Sequence, residues 1–412
     1  MDPAEMLTLV ALTYRGCEYN LGNAHSRKIV FDEVTRCLAS FGPGAGEWKI
    51  VWGPAGYRPG IAGPDISTMY VAQRVDDPST LAVAIRGTNF FSVLDWLSNL
   101  PLEPRRWEYG GAGPEVKISF STWLGLRFLQ RLQSGPVPAP SASETPAEKL
   151  QAAETAAQAA LIYVLIRNIL QGAAQVDAAG YLSKIKDGIG SIASTFLQGH
   201  DPRLAQAVAD AGQPAPQSNT LLDYLTNFMT TATAPVNIHV VGHSKSGALA
   251  PALSLWLADT QGAAVATAQQ WDPRAMAKLH LYTFAAPTAG NAAFATHFQA
   301  SAIADAYRLA NPYDIVDHVW TPSEVRQIPD LYGDQLTSLR IPLDLLAEAL
   351  RIFGYQHEVP SKPWTGGAVP QANFLQRAGV EHLDAYLKEL GLFNANTLST
   401  LALFAPISAP SS

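Results

Sequence analysis

The chain has 412 residues, of which 48% are hydrophobic and 15% are charged, and its formal net charge is −7 at pH 7. These values are typical of a globular protein with a large hydrophobic core. The mild negative charge and the absence of any run of Lys or Arg residues argue against nucleic acid or an anionic membrane surface as the main partner.

The first forty residues are predicted to be helical, because Ile29, Val30, Val34 and Leu38 lie at helical spacing and form one apolar face. Acidic residues occupy the start of the chain, where a secretory signal has its basic region, so we expect a cytoplasmic protein unless a leader was trimmed. No apolar stretch is long enough to cross a bilayer as a helix. The only two cysteines, Cys17 and Cys37, could pair or stay reduced.

Three strands are predicted next, at residues 48–52, 67–73 and 81–85, because apolar runs alternate there with turns rich in Gly, Pro and Asp. A helix is predicted from about residue 121 to 133. A linker rich in Pro, Ala and Ser then opens onto residues 145–197, where apolar positions at helical spacing predict two or three helices. We therefore expect one catalytic domain over residues 1–412 with a helical insertion at 134–220. The part from 143 to 198 could be a cap over the site or a brace for oligomers.

Residues 236–250 read as a buried strand, a tight turn and a helix, with Ser244 at the apex of the turn. This is the layout of a nucleophile elbow, although a plain strand-to-helix connection would look similar. Residues near the apex must be small because the strand and the helix approach closely. Gly242 fits this requirement. At Ser246 a glycine is more usual, so we expect its side chain to crowd the contact, with Gly247 relieving the strain.

An activated serine needs a base and a group that orients the base, and both follow in the order Ser, Asp, His that α/β-hydrolases use. Asp314 lies just past a predicted strand that ends near residue 311, at the edge of the sheet where catalytic residues gather. His382 is predicted on the loop that enters a short helix. Asp317 is an alternative acid, and His318 and His357 are alternative bases.

Two further polar residues flank the proposed nucleophile. His243 is predicted to be a packing residue that points away from the apex. Lys245 suggests a Ser-Lys pair, but neighbouring residues at a sharp turn aim their side chains apart, so we expect its side chain at the surface or the pocket rim.

Four segments carry motifs in a fixed order, namely Ala84-Ile85-Arg86-Gly87-Thr88 followed by Asp95-Trp96-Leu97, Gly242-His243-Ser244-x-x-Gly247-Ala248-Leu249-Ala250, Thr283-Phe284-Ala285-Ala286-Pro287-x-x-Gly290-Asn291-x-x-Phe294, and Arg308-x-x-Asn311-x-x-Asp314-Ile315-Val316. Together they resemble the class 3 lipase family. The resemblance implies an α/β-hydrolase fold, with a mostly parallel central sheet flanked by helices.

It also implies roles for single residues. Ser244 would be the nucleophile, Asp314 the orienting acid and His382 the base. The backbone N–H groups of Thr88 and Lys245 would form the oxyanion hole. The chain departs from the family at Ser246, at Lys245 and at residues 116–120, which lack the histidine and glycine often seen there.

The segment 89–100 resembles the lid region of the family and contains more apolar surface than a solvated loop should expose. Phe90, Phe91 and Leu94 are its candidate substrate-binding residues, and the segment would close over the pocket or open onto lipid. For Trp96 and Leu97, burial in an ordinary core helix would also explain the apolar side chains.

These patterns predict a carboxylic-ester hydrolase, a lipase or esterase acting on acyl glycerols or similar apolar esters, with a possible lipid interface. We expect no cofactor or metal, because the chain has no H-E-x-x-H, C-x-x-C or P-loop motif. An acyltransferase on the same scaffold and a catalytically silent protein that binds a partner through the insertion are the alternatives. The sequence does not indicate acyl chain length, head group or oligomeric state.

Overall fold

The computed structural model describes residues 1–16, 21, 24–40, 42–57, 67–86, 104–135, 219–262, 270–333, 340–369 and 374–392. Several sequence predictions lie outside these ranges. They are Thr88, the lid residues Phe90, Phe91 and Leu94, Cys17, and nearly all of the insertion predicted at 134–220.

Ten strands occur in the described residues: β1 (Trp48–Tyr57), β2 (Ser67–Arg74), β3 (Thr80–Arg86), β4 (Arg105–Arg106), β5 (Lys117–Ile118), β6 (Val236–His243), β7 (Ala277–Phe284), β8 (Gly290–Asn291), β9 (Ile303–Leu309) and β10 (Tyr355–Gln356). Six of them form the central sheet in the order β1-β2-β3-β6-β7-β9. In this sheet β3, β6, β7 and β9 pair in parallel, whereas β1 pairs with β2 and β2 with β3 in antiparallel fashion. The carboxyl ends of β3, β6, β7 and β9 therefore share one edge of the sheet.

Ten α-helices are described: α1 (Pro3–Leu12), α2 (Ala24–Ser40), α3 (Phe120–Leu129), α4 (Leu221–Thr231), α5 (Lys245–Asp259), α6 (Ala292–Gln299), α7 (Pro322–Val325), α8 (Arg340–Arg351), α9 (Phe374–His382) and α10 (Asp384–Glu389). One apolar cluster, which includes side chains of α3, α4 and α5, lies on one face of the sheet. A second cluster, which includes α1 and α2, lies on the other. Strand β3 is buried along its whole length because both faces are covered.

A second, smaller sheet has the order β10-β8-β5-β4, with antiparallel pairs. It anchors residues 104–118 against the start of α6, where Asn291 accepts a hydrogen bond from the N–H of Lys117 at 3.1 Å. The short strands therefore fix the chain between β3 and α3 to the body of the protein.

The predicted strands at 48–52, 67–73 and 81–85 correspond to β1, β2 and β3; β2 and β3 are one or two residues longer than predicted, whereas β1 extends five residues further, to Tyr57. The helical region predicted for the first forty residues forms two helices, α1 and α2. Val30, Val34 and Leu38 of α2 are buried, as the helical spacing predicted, and Ile29 is partly buried. In the described part of the chain, no helix combines the length and apolarity needed to cross a membrane.

Candidate active site

Strand β6 and helix α5 are joined by a turn of one residue, Ser244, which has φ 62° and ψ −136°. Two glycines allow this turn. A Cβ atom at Gly242 would lie 2.1 Å from the carbonyl oxygen of Ser246, and a Cβ at Gly247 would lie 2.5 Å from the Cβ of Ala286. A side chain at Gly242 would therefore force β6 and α5 apart, and one at Gly247 would push α5 away from the residues just past β7.

Ser246 does not crowd the turn as the sequence suggested. Its side chain is fully buried, and its Oγ accepts a hydrogen bond from the N–H of His243 at 2.9 Å. The hydroxyl proton lies between two carbonyl oxygens, that of Ile85 at 2.7 Å and that of His243 at 2.8 Å. The close contact falls on Gly242 and Gly247 instead, and Ser246 stabilises the turn through its hydroxyl group.

The side chain of Ser244 is 1% exposed. Its backbone is fixed on both sides, because its N–H donates to the carbonyl of Phe284 at 3.0 Å and its own carbonyl accepts from Gly247 at 2.7 Å. Its Oγ has no hydrogen-bond partner among the described residues. A buried hydroxyl in that condition is uncommon and needs a functional or structural explanation.

Asp314 lies in the loop just past β9 and is completely buried. Its Oδ1 accepts the N–H of Val316 at 2.9 Å, and its Oδ2 accepts both the Nδ1–H of His382 at 2.8 Å and the hydroxyl of Tyr386 at 3.2 Å. Burial alone would raise the pKa of Asp314. The charge and hydrogen bond of His382, together with the Val316 N–H, outweigh burial and hold that pKa below its ordinary value.

His382 is the last residue of α9, is separated from α10 by Leu383 alone, and is 1% exposed. The sequence had placed it on a loop, but the chain forms a helix up to this residue. Since Nδ1 donates its proton to the carboxylate of Asp314, Nε2 is the nitrogen able to accept one. The arrangement suits a general base that a buried acid orients.

Three residues that the sequence analysis did not single out for the site surround this pair. Tyr386 accepts the N–H of Asn311 at 2.8 Å while it donates to Asp314. The Asn311 side-chain amide donates to the carbonyl and to the carboxylate of Glu381, both at 2.8 Å. Only indirect signals in the sequence indicated that these residues lie at the site. Asn311 belongs to one of the four motifs, and Tyr386 occupies an apolar position of a predicted helix.

Of the two residues predicted to form the oxyanion hole, the structure describes only Lys245. Lys245 is the first residue of α5, so its N–H lies in the turn of the helix where donors are not used within the helix. Thr88 follows β3 in sequence and lies outside the described residues. The Lys245 side chain is partly buried, and desolvation together with the positive charge of Arg86 lowers its pKa to about 7.

The alternative acid and bases form different contacts. Asp317 pairs with Arg308, with 2.8 Å between Oδ2 and Nη2, and burial raises the pKa of Asp317 to about 6. The Nε2 of His357 accepts from the same Arg308 guanidinium at 2.9 Å and lies 3.4 Å from Glu324. His318 donates from Nδ1 to the Asp314 carbonyl oxygen at 2.8 Å.

The structure thus brings Asp314 and His382 into contact beside the Ser244 turn, whereas Asp317 and His357 belong to a neighbouring cluster around Arg308. Across the described ranges, no group of three or more His, Cys, Asp or Glu side chains is arranged to hold a metal ion.

Comparison with known proteins gives a family match over part of the chain. The model of the family described as lipase (class 3) matches residues 174–323, a range that contains Ser244 and Asp314 but neither Thr88 nor His382. No curated protein sequence matches the chain significantly.

Solved structures of lipases are similar over a larger part of the chain. M37 lipase is 22% identical, with 97% of this chain and 94% of that chain covered and a TM-score of 0.65. The triacylglyceride lipase of Rhizomucor miehei is 16% identical, with 77% and 73% covered and a TM-score of 0.36. A triacylglycerol lipase from Penicillium expansum is 15% identical, with 77% and 70% covered and a TM-score of 0.33.

The similarity to M37 lipase concerns the fold, since the identity is low. It agrees with the observed architecture, a mostly parallel central sheet flanked by helices with a strand-turn-helix at Ser244. The family match and the shared α/β-hydrolase fold confirm that this chain resembles the class 3 lipases.

Proposed function

We propose that the protein is a carboxylic-ester hydrolase, a lipase or esterase that works through a Ser-His-Asp acyl-enzyme mechanism. The observation that carries the proposal is the hydrogen bond of 2.8 Å between His382 Nδ1 and Asp314 Oδ2, buried beside the turn that presents Ser244. Such a pair, next to a serine in a strained backbone conformation, is the arrangement that activates a hydroxyl group.

In the proposed reaction, Ser244 Oγ attacks the ester carbonyl while His382 Nε2 takes the hydroxyl proton. The imidazolium that forms is stabilised by the carboxylate of Asp314, whose low pKa keeps it ionised. The negative charge on the carbonyl oxygen is stabilised by the N–H groups of Lys245 and Thr88. His382 returns the proton to the leaving alkoxide, and a water molecule then attacks the acyl-enzyme through the same base.

The apolar character of residues 89–100 supports apolar acyl groups as substrates. Phe90, Phe91 and Leu94 offer an acyl chain a large apolar surface close in sequence to the proposed oxyanion residue Thr88. The family match to class 3 lipases points the same way. We therefore favour acyl glycerols and similar neutral esters.

We also infer that residues 1–412 form one catalytic domain into which 134–220 is inserted. Support comes from the central sheet, in which β3 pairs directly with β6 although the insertion separates them in sequence. The role of the insertion as a cap or a brace stays a prediction, as does the cytoplasmic location.

Hydrolysis of p-nitrophenyl esters with acyl chains from short to long tests the proposal. We expect the wild-type protein to hydrolyse them and to react covalently with a p-nitrophenyl phosphonate at Ser244. Ser244→Ala should lose both activities, with a rate loss of several orders of magnitude and an unchanged unfolding midpoint. Comparable turnover by this variant would rule the mechanism out. Product analysis with an added alcohol would show whether acyl transfer competes with hydrolysis.

A further inference from the structure

His243, the residue before Ser244, does not simply pack in the core. It is the last residue of β6, is 2% exposed, and uses both nitrogens of its ring. Its Nδ1 lies 3.1 Å from the hydroxyl of Tyr14, and its Nε2 lies 2.9 Å from the main-chain carbonyl oxygen of His382. The imidazole therefore connects the end of β6 to the end of α9.

The partners of the ring determine its tautomer. A carbonyl oxygen can only accept a hydrogen bond, so Nε2 of His243 must carry a proton and donate it to His382. Burial, reinforced by the adjacent His382, lowers the pKa of His243 to about 3, so the ring is neutral. In a neutral ring Nδ1 has a lone pair, and it accepts the proton of the Tyr14 hydroxyl.

The carbonyl of His382 is suited to this contact. His382 ends α9, and the last carbonyl groups of a helix have no partner within that helix. The Nε2–H of His243 donates a hydrogen bond to the carbonyl oxygen of His382. The imidazole of His382 is fixed by Asp314 and its main chain by His243, so the residue is held at two points.

We propose that His243 is a positioning residue. Its ring holds the main chain of His382, the proposed base, at a set distance from Ser244, the proposed nucleophile. This inference rests on the function proposed above. Ser244 directly follows His243, so one hydrogen bond links the strand end that carries the nucleophile to the helix end that carries the base. Displacements of about 1 Å in such a constellation cost about a hundredfold in rate.

The neutrality of His243 also suits the reaction. The ring centroids of His243 and His382 are 4.8 Å apart. A positive charge on His243 at that distance would repel the imidazolium of His382 that forms when Ser244 gives up its proton. A neutral donor supplies the hydrogen bond without this repulsion.

Two substitutions at His243 test the proposal. His243→Leu removes the donor to His382, whereas His243→Gln keeps an N–H donor close to the position of imidazole Nε2. We expect His243→Leu to lower kcat on a short soluble ester by about tenfold to a hundredfold with KM changed less than about twofold. His243→Gln should recover most of the loss. Rates are normalised to active sites titrated with the phosphonate, so unfolded protein does not contribute.

His239→Leu is the matched control. His239 lies on the same strand and is buried to a similar extent, but its ring stacks on His280, with 4.6 Å between centroids, away from His382. We expect the kcat of His239→Leu to stay within about twofold of the wild-type value. If His243→Leu fails to fold, Tyr14→Phe takes its place, because this substitution removes the hydrogen-bond donor to Nδ1 of His243. We expect Tyr14→Phe to lower kcat severalfold. An unchanged kcat would overturn the proposal.

A second readout does not depend on turnover. The proton shared by His382 Nδ1 and Asp314 should give a downfield resonance in the proton NMR spectrum. We expect it to persist in His243→Gln and to broaden or vanish in His243→Leu. A His243→Leu variant with wild-type kcat and an intact resonance would overturn the inference, as would a His243→Gln variant no better than His243→Leu. Failure of the wild-type protein to hydrolyse any ester would instead overturn the proposed function.

Discussion

The hydroxyl of Ser246 lies 2.7 Å from the carbonyl oxygen of Ile85 and so ties helix α5 to the carboxyl end of strand β3. The Oγ of Ser246 also accepts the N–H of His243 at 2.9 Å. A glycine at this position would lose both contacts. The departure from the usual elbow motif is therefore a stabilising feature of this chain.

We expect Ser246→Ala to lower the free energy of unfolding by about 1–3 kcal/mol, because buried polar groups of Ile85 and His243 lose a partner. Ser246→Gly should be no more stable than Ser246→Ala. Urea unfolding measures both. Ser254→Ala is the control on the same helix, since Ser254 is fully buried and its Oγ has no hydrogen-bond partner among the described residues. A Ser246→Ala variant as stable as Ser254→Ala would contradict this prediction.

Among the histidines, we expect only His382→Ala to match the loss caused by Ser244→Ala. His357→Ala should keep most of the activity, because His357 binds Arg308 in the neighbouring cluster. His318→Ala should lose far less than His382→Ala, because His318 contacts Asp314 only at its main-chain carbonyl and not at the carboxylate that orients the base. Steady-state rates on a short ester provide the measurement. The Ser244/His382 double variant should be no worse than either single variant, since partners in one triad act as a unit. A much slower double variant would mean that the two residues act independently.

The fold and the chemistry of the site were predictable to different extents. Apolar runs bounded by turn residues identified β1, β2 and β3, and β2 and β3 are buried on both faces, which leaves a local signal in the sequence. Ser244 and Asp314 came from motifs that also depend on local sequence, and His382 came from the chain order Ser, Asp, His and its place before a short predicted helix. The contact of Tyr14 with His243 joins residues 229 positions apart, and the hydrogen bond from Tyr386 to Asp314 spans 72. No local pattern encodes such pairs, so only the three-dimensional structure reveals them.

The stability of the protein should carry a pH dependence from Asp317. Burial raises its pKa to about 6 in the folded protein, above its ordinary value of 3.8. Between about pH 4 and pH 6 the folded state therefore holds a proton that the unfolded state has released, so this residue lowers the free energy of unfolding as pH rises. Asp317→Asn removes the titration but leaves the loop near its native geometry.

The free energy of unfolding of wild type minus that of Asp317→Asn should therefore fall as pH rises from about 4 to about 6 and stay level at higher pH. Urea titrations at half-unit intervals of pH give this difference. A difference that rises over the same window would show that the ion pair with Arg308 at 2.8 Å outweighs burial.

The proposed lid predicts a dependence on acyl chain length. Replacing Phe90 and Phe91 with serine removes two apolar side chains, each worth roughly 1.5–3 kcal/mol when fully buried. Hydrolysis of long-chain and emulsified esters should fall most, whereas short soluble esters should be nearly unaffected because the proposed triad is unchanged. The measurement is kcat/KM across a series of p-nitrophenyl esters. An equal loss at every chain length would show that these residues support the oxyanion turn instead.

Helix α1 has consequences for how the chain is made. Every residue from Ala4 to Leu12 is buried, and a helix covered on all sides has no stable existence alone in water. It packs against β3, β6 and β7, two of which are synthesised more than two hundred residues later, as the 229-residue separation of Tyr14 and His243 illustrates. During translation its apolar surface stays exposed until those strands emerge. Helix α1 is therefore a region where we expect chaperones to be needed during synthesis.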